Sequence, residues 1–149
     1  MMEDTRTRLN DALKEAMKNK DNERRDVLRM AMSAIKQVEI DTQKTLDDTG
    51  VQDVLQKEAK KRRETIDEMS KARRAETADT EKRELAIIEE FLPRQLSVEE
   101  IQAVVNEVIS QVGATSAKDI NKVMGPLMQR TKGIADGKLV NQIVRDILK

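Results

Sequence analysis

Apolar residues recur along this chain at intervals of three and four, the spacing that gathers them on one side of an α-helix. Leu9, Ala12, Leu13, Ala16 and Met17 form such a stripe and predict a first helix over roughly 3–19. Val27, Ala31, Ala34, Ile35 and Val38 predict a second over roughly 22–43, with Asp21 placed to cap it. Asp47-Asp48-Thr49-Gly50 reads as a turn. Val51, Val54, Leu55, Ala59, Ile66 and Met69 then predict a long third helix over roughly 51–77. Leu85, Ile88 and Leu92, with Phe91 beside them, predict a fourth over roughly 79–92. The first 92 residues read as an antiparallel helical bundle with short loops.

Pro93 interrupts the pattern, because it lacks a backbone donor and disfavours a helical conformation at Leu92. Ser97-Val98-Glu99-Glu100 has the form of a capping box, with Ser97 as N-cap and Glu100 reaching back. The helix it opens carries Ile101, Val104, Val105, Val108, Ile109 and Val112, and Gly113 is placed to end it. Ser116 to Asp119 is another start signal. Ile120, Val123, Met124 and Leu127 continue the stripe through a sixth helix, with Gly125-Pro126 as a candidate kink. Lys132 to Gly137 reads as a loop. Asp136 is placed to cap a final helix whose buried side is Leu139, Val140, Ile143, Val144, Ile147 and Leu148. The expected class is all-α, with an N-terminal bundle over 1–93 and a small helical domain over 94–149.

Composition sharpens this picture mainly by exclusion. The chain has 149 residues, one aromatic (Phe91), no cysteine and no histidine. Disulfides, thiolate nucleophiles and zinc–thiolate sites are excluded, and the commonest general base is missing. No apolar run approaches the roughly 20 residues of a membrane span, and no N-terminal segment resembles a signal peptide. The expectation is a cytoplasmic protein that needs no cofactor and touches no membrane. Net charge is zero, made of 20 Lys and Arg against 22 Asp and Glu in residues 1–93, and 8 against 6 in residues 94–149. That asymmetry is too small to imply nucleic acid by itself.

The densest basic run is Lys57, Lys60, Lys61, Arg62 and Arg63, followed by Lys71, Arg73 and Arg74. It could neutralise phosphates. Glu58, Glu64, Asp67 and Glu68 supply pairing charges, which favours a solvated helix face. The carboxylate pairs Glu89-Glu90, Glu99-Glu100 and Asp47-Asp48 diverge by about 100° on a helix, a poor arrangement for metal binding or acid/base chemistry. Met124 and Met128 read as core fillers.

The final quarter is different. Gly113, Gly125, Gly133 and Gly137 lie there, and the preceding 112 residues hold only Gly50. In Arg130-Thr131-Lys132-Gly133-Ile134-Ala135-Asp136-Gly137-Lys138, two glycines permit close backbone approach and two lysines offer cationic donors. The following helix start adds N–H groups suited to phosphate. The P-loop order is absent. The residues alone fit a phosphate-contacting loop and a plain helix connector equally well.

LNDALKEAMKNKD, VLRMAMSAIKQVEID, KKRRETIDEM, FLPRQLSVEE and VMGPLMQRTKGIADGKLVNQIV together resemble the GatB/YqeY domain family, specifically its small stand-alone YqeY-like members. The last segment resembles the C-terminal tail domain of the GatB component of the glutamyl/aspartyl-tRNA amidotransferase. Lys132, Gly133, Ala135, Leu139, Val140 and Asn141 stand at its K-G-x-A…L-V-N pattern. Asp136-Gly137 stands where that tail commonly has Asn-Pro. The resemblance implies a helical bundle followed by a tail-like domain. It also implies tRNA as partner, with a tRNA-dependent amidotransferase or an aminoacyl-tRNA synthetase as a further one. On that reading Arg130, Lys132, Gly133, Gly137, Lys138 and Asn141 form the nucleic-acid-binding set, and no residue is catalytic. The alternatives are a protein–protein adaptor of an aminoacyl-tRNA enzyme, and an accessory of the carbon–nitrogen ligase activity, with glutamine as amido donor, that the family label carries. No nucleotide motif or amidase signature supports that activity in this chain itself.

Overall fold

Asp4 opens the first helix by accepting a hydrogen bond from the Thr7 N–H, at 2.7 Å, and α1 runs Thr5–Lys18. This computed structural model describes residues 4–149, so residue 3, at the expected start of α1, lies outside the described residues. The remaining helices are α2 (Asn22–Thr42), α3 (Asp48–Lys71), α4 (Ala75–Glu89), α5 (Val98–Val112), α6 (Ile120–Thr131) and α7 (Gly137–Ile147). A 3₁₀ turn, Ala117–Asp119, leads into α6. The fold is all-α, with no strand among the described residues. The chain forms two compact units, Met1–Pro93 and Arg94–Lys149.

In the first unit, α1 to α4 enclose a core of Leu9, Ala16, Val27, Leu28, Ala31, Ile35, Val51, Val54, Leu55, Ala59, Ile88, Phe91 and Leu92. Fully burying a large aliphatic side chain stabilises by about 1.5–3 kcal/mol, so these stripes fix how the helices face each other. Charge fastens the edges. Asp48 Oδ1 accepts from the Thr5 N–H at 2.6 Å, tying the start of α3 to the start of α1. Glu39 pairs with Arg6 at 2.7 Å and accepts from the Leu46 N–H at 2.8 Å. Both contacts, the Leu46 N–H first, hold its carboxyl below the ordinary carboxylate range. Phe91 is buried beneath the guanidinium groups of Arg8 and Arg24, 5.4 and 6.0 Å from the ring centre.

Several expectations for this unit need correction. Asp47 to Gly50 is a helix start, not a turn: Asp47 caps α3 by accepting from the Gly50 N–H, and Gly50 lies in its first turn. The expected 51–77 helix stops at Lys71. Arg73 adopts a left-handed φ of 58°, while Arg73 and Arg74 donate back to the Ser70 and Met69 carbonyls. That is a Schellman cap built without glycine, so the sequence carries no visible stop signal. α4 accordingly begins at Ala75 rather than 79 and ends at Glu89 rather than 92. Met17 faces solvent, half exposed.

Arg62, placed by its neighbours in a solvated basic run, is buried at 7% exposure. It pairs with Glu81 at 3.1 Å and with Glu84, both on α4. Arg63 pairs with Glu89, and Lys61 with Glu58 on its own helix. Arg62 and Arg63 thus belong to a seam between α3 and α4, while Lys57, Lys60 and Lys61 remain on an exposed helix face.

The second unit has an aliphatic core: Ile101, Val105, Val108, Val123, Leu127, Val140, Ile143, Val144 and Leu148. The capping box forms as the pattern requires. Ser97 Oγ accepts from the Glu100 N–H, and Glu100 accepts from the Ser97 N–H. Gly113 ends α5 at φ 70°. α6 continues through Pro126 without a break in its helical span. Leu139 and Ile147, expected on the buried side of α7, are each 37% exposed: Leu139 lies at the margin of the stripe centred on Val140, Ile143 and Val144, and Ile147 is the last residue of the helix.

Candidate functional site

The turn between α6 and α7 is built by backbone geometry before any ligand is considered. Thr131 is buried, and its hydroxyl donates to the Leu127 carbonyl at 2.9 Å. Its own carbonyl accepts from the N–H groups of both Ile134 and Ala135, at 3.0 Å each. The chain can fold back this tightly because Gly133 takes φ 81°, a left-handed conformation costly for any residue with a Cβ.

A second support comes from the segment just ahead of the Ser97 cap. The Leu96 N–H donates to the Ile134 carbonyl at 2.7 Å, and Gln95 Nε2 donates to the Gly133 carbonyl at 3.1 Å. Leu96 packs against the same core that contains Ile101. Leu96 immediately before the Ser97 cap and Ile101 four residues after it have the spacing of a hydrophobic staple. The bonds of residues 95 and 96 to the distant turn had no sign in the sequence.

The six expected site residues separate into three kinds. Lys132 and Lys138 are exposed, and neither ammonium has an ion-pair partner among the described residues. Arg130 is engaged by Glu107 at 3.0 Å. Asn141 is half-buried; its Oδ1 accepts from Arg145 Nε at 2.6 Å and its amide lies 4.0 Å from the Met124 sulfur. Gly133 supplies the turn. Gly137 is the first residue of α7, where an added Cβ would come 3.3 Å from Met128 Cε.

Two local expectations are corrected. Asp136 occupies the N-cap position of α7, but its side chain accepts no cap hydrogen bond. The helix N–H groups at this end therefore lack the side-chain partner that Ser97 and Glu100 supply to α5. Met128 is not a core filler: it is 40% exposed and lies against Gly137. Met124 does pack against the core. The arrangement thus presents two cations without ion-pair partners among the described residues, a helix start with no side-chain cap, and the exposed side chains of Met128 and Leu139.

The paired carboxylates are spent separately. Glu89 binds Arg63, Glu90 binds Arg24 at 2.5 Å, and Glu100 binds Arg94 at 2.7 Å. Contact with Arg94 first, and with the Ser97 N–H second, holds the Glu100 carboxyl at about 2. Among the described residues no group of three or more His, Cys, Asp and Glu side chains is placed to hold a metal ion. No helix among them is long and apolar enough to cross a membrane.

Comparison with known proteins gives a consistent family. The family described as Yqey-like protein matches residues 6–148. The chain is 34% identical over 103 residues to Altered inheritance of mitochondria protein 41, mitochondrial, of Lachancea thermotolerans, covering 67% of this chain and 55% of that protein. It is 32% identical over 124 residues to the protein of the same name from Kluyveromyces lactis, covering 80% of this chain and 66% of that protein. The chain thus spans less than two thirds of the length of these relatives.

Proposed function

Because this chain belongs to the YqeY-like family, we propose that it is a non-catalytic accessory module of tRNA metabolism that contacts tRNA through its α6–α7 turn. The observation that carries the reading is the joint placement of Lys132 and Lys138, both without ion-pair partners among the described residues, around a tight glycine turn. Free ammonium groups gain most from phosphate, because no internal pair has to be broken first. Gly133 and Gly137 keep the backbone bare between them. Arg130 and Asn141 serve this site as braces, holding α6 to α5 and α7 to α6. The chain's lack of histidine and cysteine supports a binding role over chemistry of its own. A cytoplasmic setting fits this role, and so does a mitochondrial one, the word the relatives' names carry.

A titration with total tRNA at two salt concentrations tests this. Lys132→Ala with Lys138→Ala is expected to weaken binding and to lower the salt slope by roughly one unit per lost phosphate contact. Folding should change by no more than about 0.5 kcal/mol, since both lysines are exposed. Unchanged affinity and slope would leave the turn as a connector. The second reading, an adaptor docking on an aminoacyl-tRNA enzyme or amidotransferase, would then stand. The engagement of Arg130 by Glu107 favours that reading, because it shrinks the free cationic surface.

A further inference from the structure

We propose that Met30 is a peroxide-responsive site: oxidation of its thioether to the sulfoxide gives the buried Arg62 guanidinium the acceptor it lacks and ties α2 to the α3–α4 seam. Every residue involved belongs to the N-terminal unit, so the RNA reading is not needed for it.

A guanidinium carries five N–H donors in a fixed plane, with Nε and Nη2 along one edge. Arg62 uses its edges unequally. Its Nη1 donates to Glu81 at 3.1 Å and to Glu84, both on α4. Its Nη2 lies 3.5 Å from the Met30 sulfur on α2, and its Nε has no hydrogen-bond partner among the described residues. Arg62 is buried, so solvent gives that edge little help. An unpaired buried donor is costly, and a thioether is a weak acceptor. This charge between three helices is well paired toward α4 and poorly paired toward α2.

The weak side is also the reachable one, because Met30 is 49% exposed. A methionine in the open needs no explanation by itself, and Met17 supplies the comparison. It is 50% exposed, and its sulfur lies 3.9 Å from the exposed Arg29. Water already solvates Arg29, so an oxygen added at Met17 meets no buried donor.

The chain has no cysteine, which leaves its methionine thioethers as the groups a peroxide oxidises most readily. The sulfur lone pair attacks one oxygen of hydrogen peroxide. The S–O bond forms as the O–O bond breaks, sulfur gives up two electrons, and the second oxygen leaves as water with the proton of the first. The sulfoxide oxygen is a polar acceptor one bond out from a sulfur already beside Nη2, within reach of the Nε–Nη2 edge. Methionine's three rotatable bonds let it be aimed there. Sulfoxide formation ordinarily disrupts apolar packing. Here the side chain is half out of the core, and a charge-assisted hydrogen bond is gained instead. Sulfoxide reductases reverse the step, so the tie is switchable.

The test treats the full chain with limiting hydrogen peroxide and locates sulfoxide by peptide mass spectrometry. Melting is read from α2 amide resonances, which score the N-terminal unit alone. Chain oxidised at Met30 should melt about 8 °C above the unoxidised chain, the effect of one hydrogen bond to a charged group in a unit of this size. The same treatment should move a Met30→Leu chain by no more than about 3 °C, while Met17→Leu should keep the full gain. The Arg62 Nε–H should exchange more slowly with water once Met30 is oxidised. Met30→Gln, which places a carbonyl oxygen at similar reach, should melt above Met30→Leu without any oxidant. That gain should vanish in an Arg62→Lys background, because an ammonium lacks the Nε–Nη2 edge. Should Arg62→Lys not fold, the Nε–H exchange decides. A Met30 that peroxide leaves unmodified, a sulfoxide that fails to raise the melting temperature, or a glutamine variant no more stable than the leucine one overturns the inference.

Discussion

Lys20, Gln43 and Arg73 make the left-handed residues after α1, α2 and α3 in the N-terminal unit; Gly113 and Gly133 do so after α5 and α6 in the C-terminal unit. Four of these five turns share a bond. Asp21, Lys44, Arg74 and Ala114 each donate an N–H to a carbonyl five residues back. The geometry is the same and the residue that adopts it differs. A left-handed conformation costs an ordinary residue roughly 1–2 kcal/mol, which the first unit tolerates because four helices with interlocking ion pairs over-determine it. The second unit is smaller, at residues 94–149, and its helices lean on β-branched residues of lower helix propensity. It places glycine where the backbone turns hardest. The first unit is rich in residues that favour helix on their own and adds charge at its seams; the second depends on burying Val, Ile and Leu. In the C-terminal unit the glycine turn lies between Lys132 and Lys138, which pair with no acid among the described residues.

The largest test of this contrast is Arg62. Arg62→Ala leaves Glu81 and Glu84 facing each other, each about a quarter exposed, with no cation between them. Removing one partner of a buried pair costs about 3–5 kcal/mol, so a loss of about 3 kcal/mol is expected given the partial exposure of the acids. Denaturant unfolding gives the magnitude. Amide exchange should place the loss in residues 4–93 and leave the C-terminal unit unaltered. A loss below about 1 kcal/mol would mean that the seam is screened like a surface pair.

Swapping the turn residues gives a smaller effect of opposite sign in the two units. Lys20→Gly, Gln43→Gly and Arg73→Gly should each stabilise by about 0.5–1 kcal/mol, the left-handed penalty less the entropy that glycine adds to the unfolded chain. Gly113→Ala should destabilise by about 1 kcal/mol. A Cβ at Gly113 meets no atom within 4 Å, so its cost reports the backbone alone. Thermal melts of the four variants decide the matter. Stabilisation by Gly113→Ala, or destabilisation by all three glycine variants, would break the comparison.

The smallest expected effect is in acid. The folded chain keeps Glu100 deprotonated down to about 2, against an ordinary value of 4.5. The unfolded chain therefore takes up its proton first as pH falls. The contribution of Glu100 is complete above about pH 4.5 and is lost progressively toward pH 2. Glu100→Gln should flatten that part of the acid titration of helix content in the C-terminal unit. Glu39, also lowered by a backbone N–H and an arginine, should do the same for the N-terminal unit when changed to Gln. A mutant curve parallel to the parent's between these pH values would show that the Arg94–Glu100 contact does not persist in solution.

The amino-acid order alone determined the elements that rest on local chemistry. Helical spacing of apolar residues, the Ser97–Glu100 box, the Asp21 cap and the Gly113 stop all act within a few residues of themselves, so they can be read from the string. The glycine turn was visible for the same reason, along with the two lysines that flank it. Tertiary structure decided what depends on residues far apart in sequence. Arg62 looks like its basic neighbours until α4 brings Glu81 and Glu84 to it. Arg130 and Asn141 look as available as Lys132 and Lys138 until Glu107 and Arg145 engage them. Arg73 bears no mark of a helix end, because a Schellman bond between backbone groups asks nothing of its side chain. Met128 and Leu139 carry the same apolar character as the core beside them, and only the packing of α6 against α7 leaves them on the surface, since a stripe buries its centre and exposes its margins.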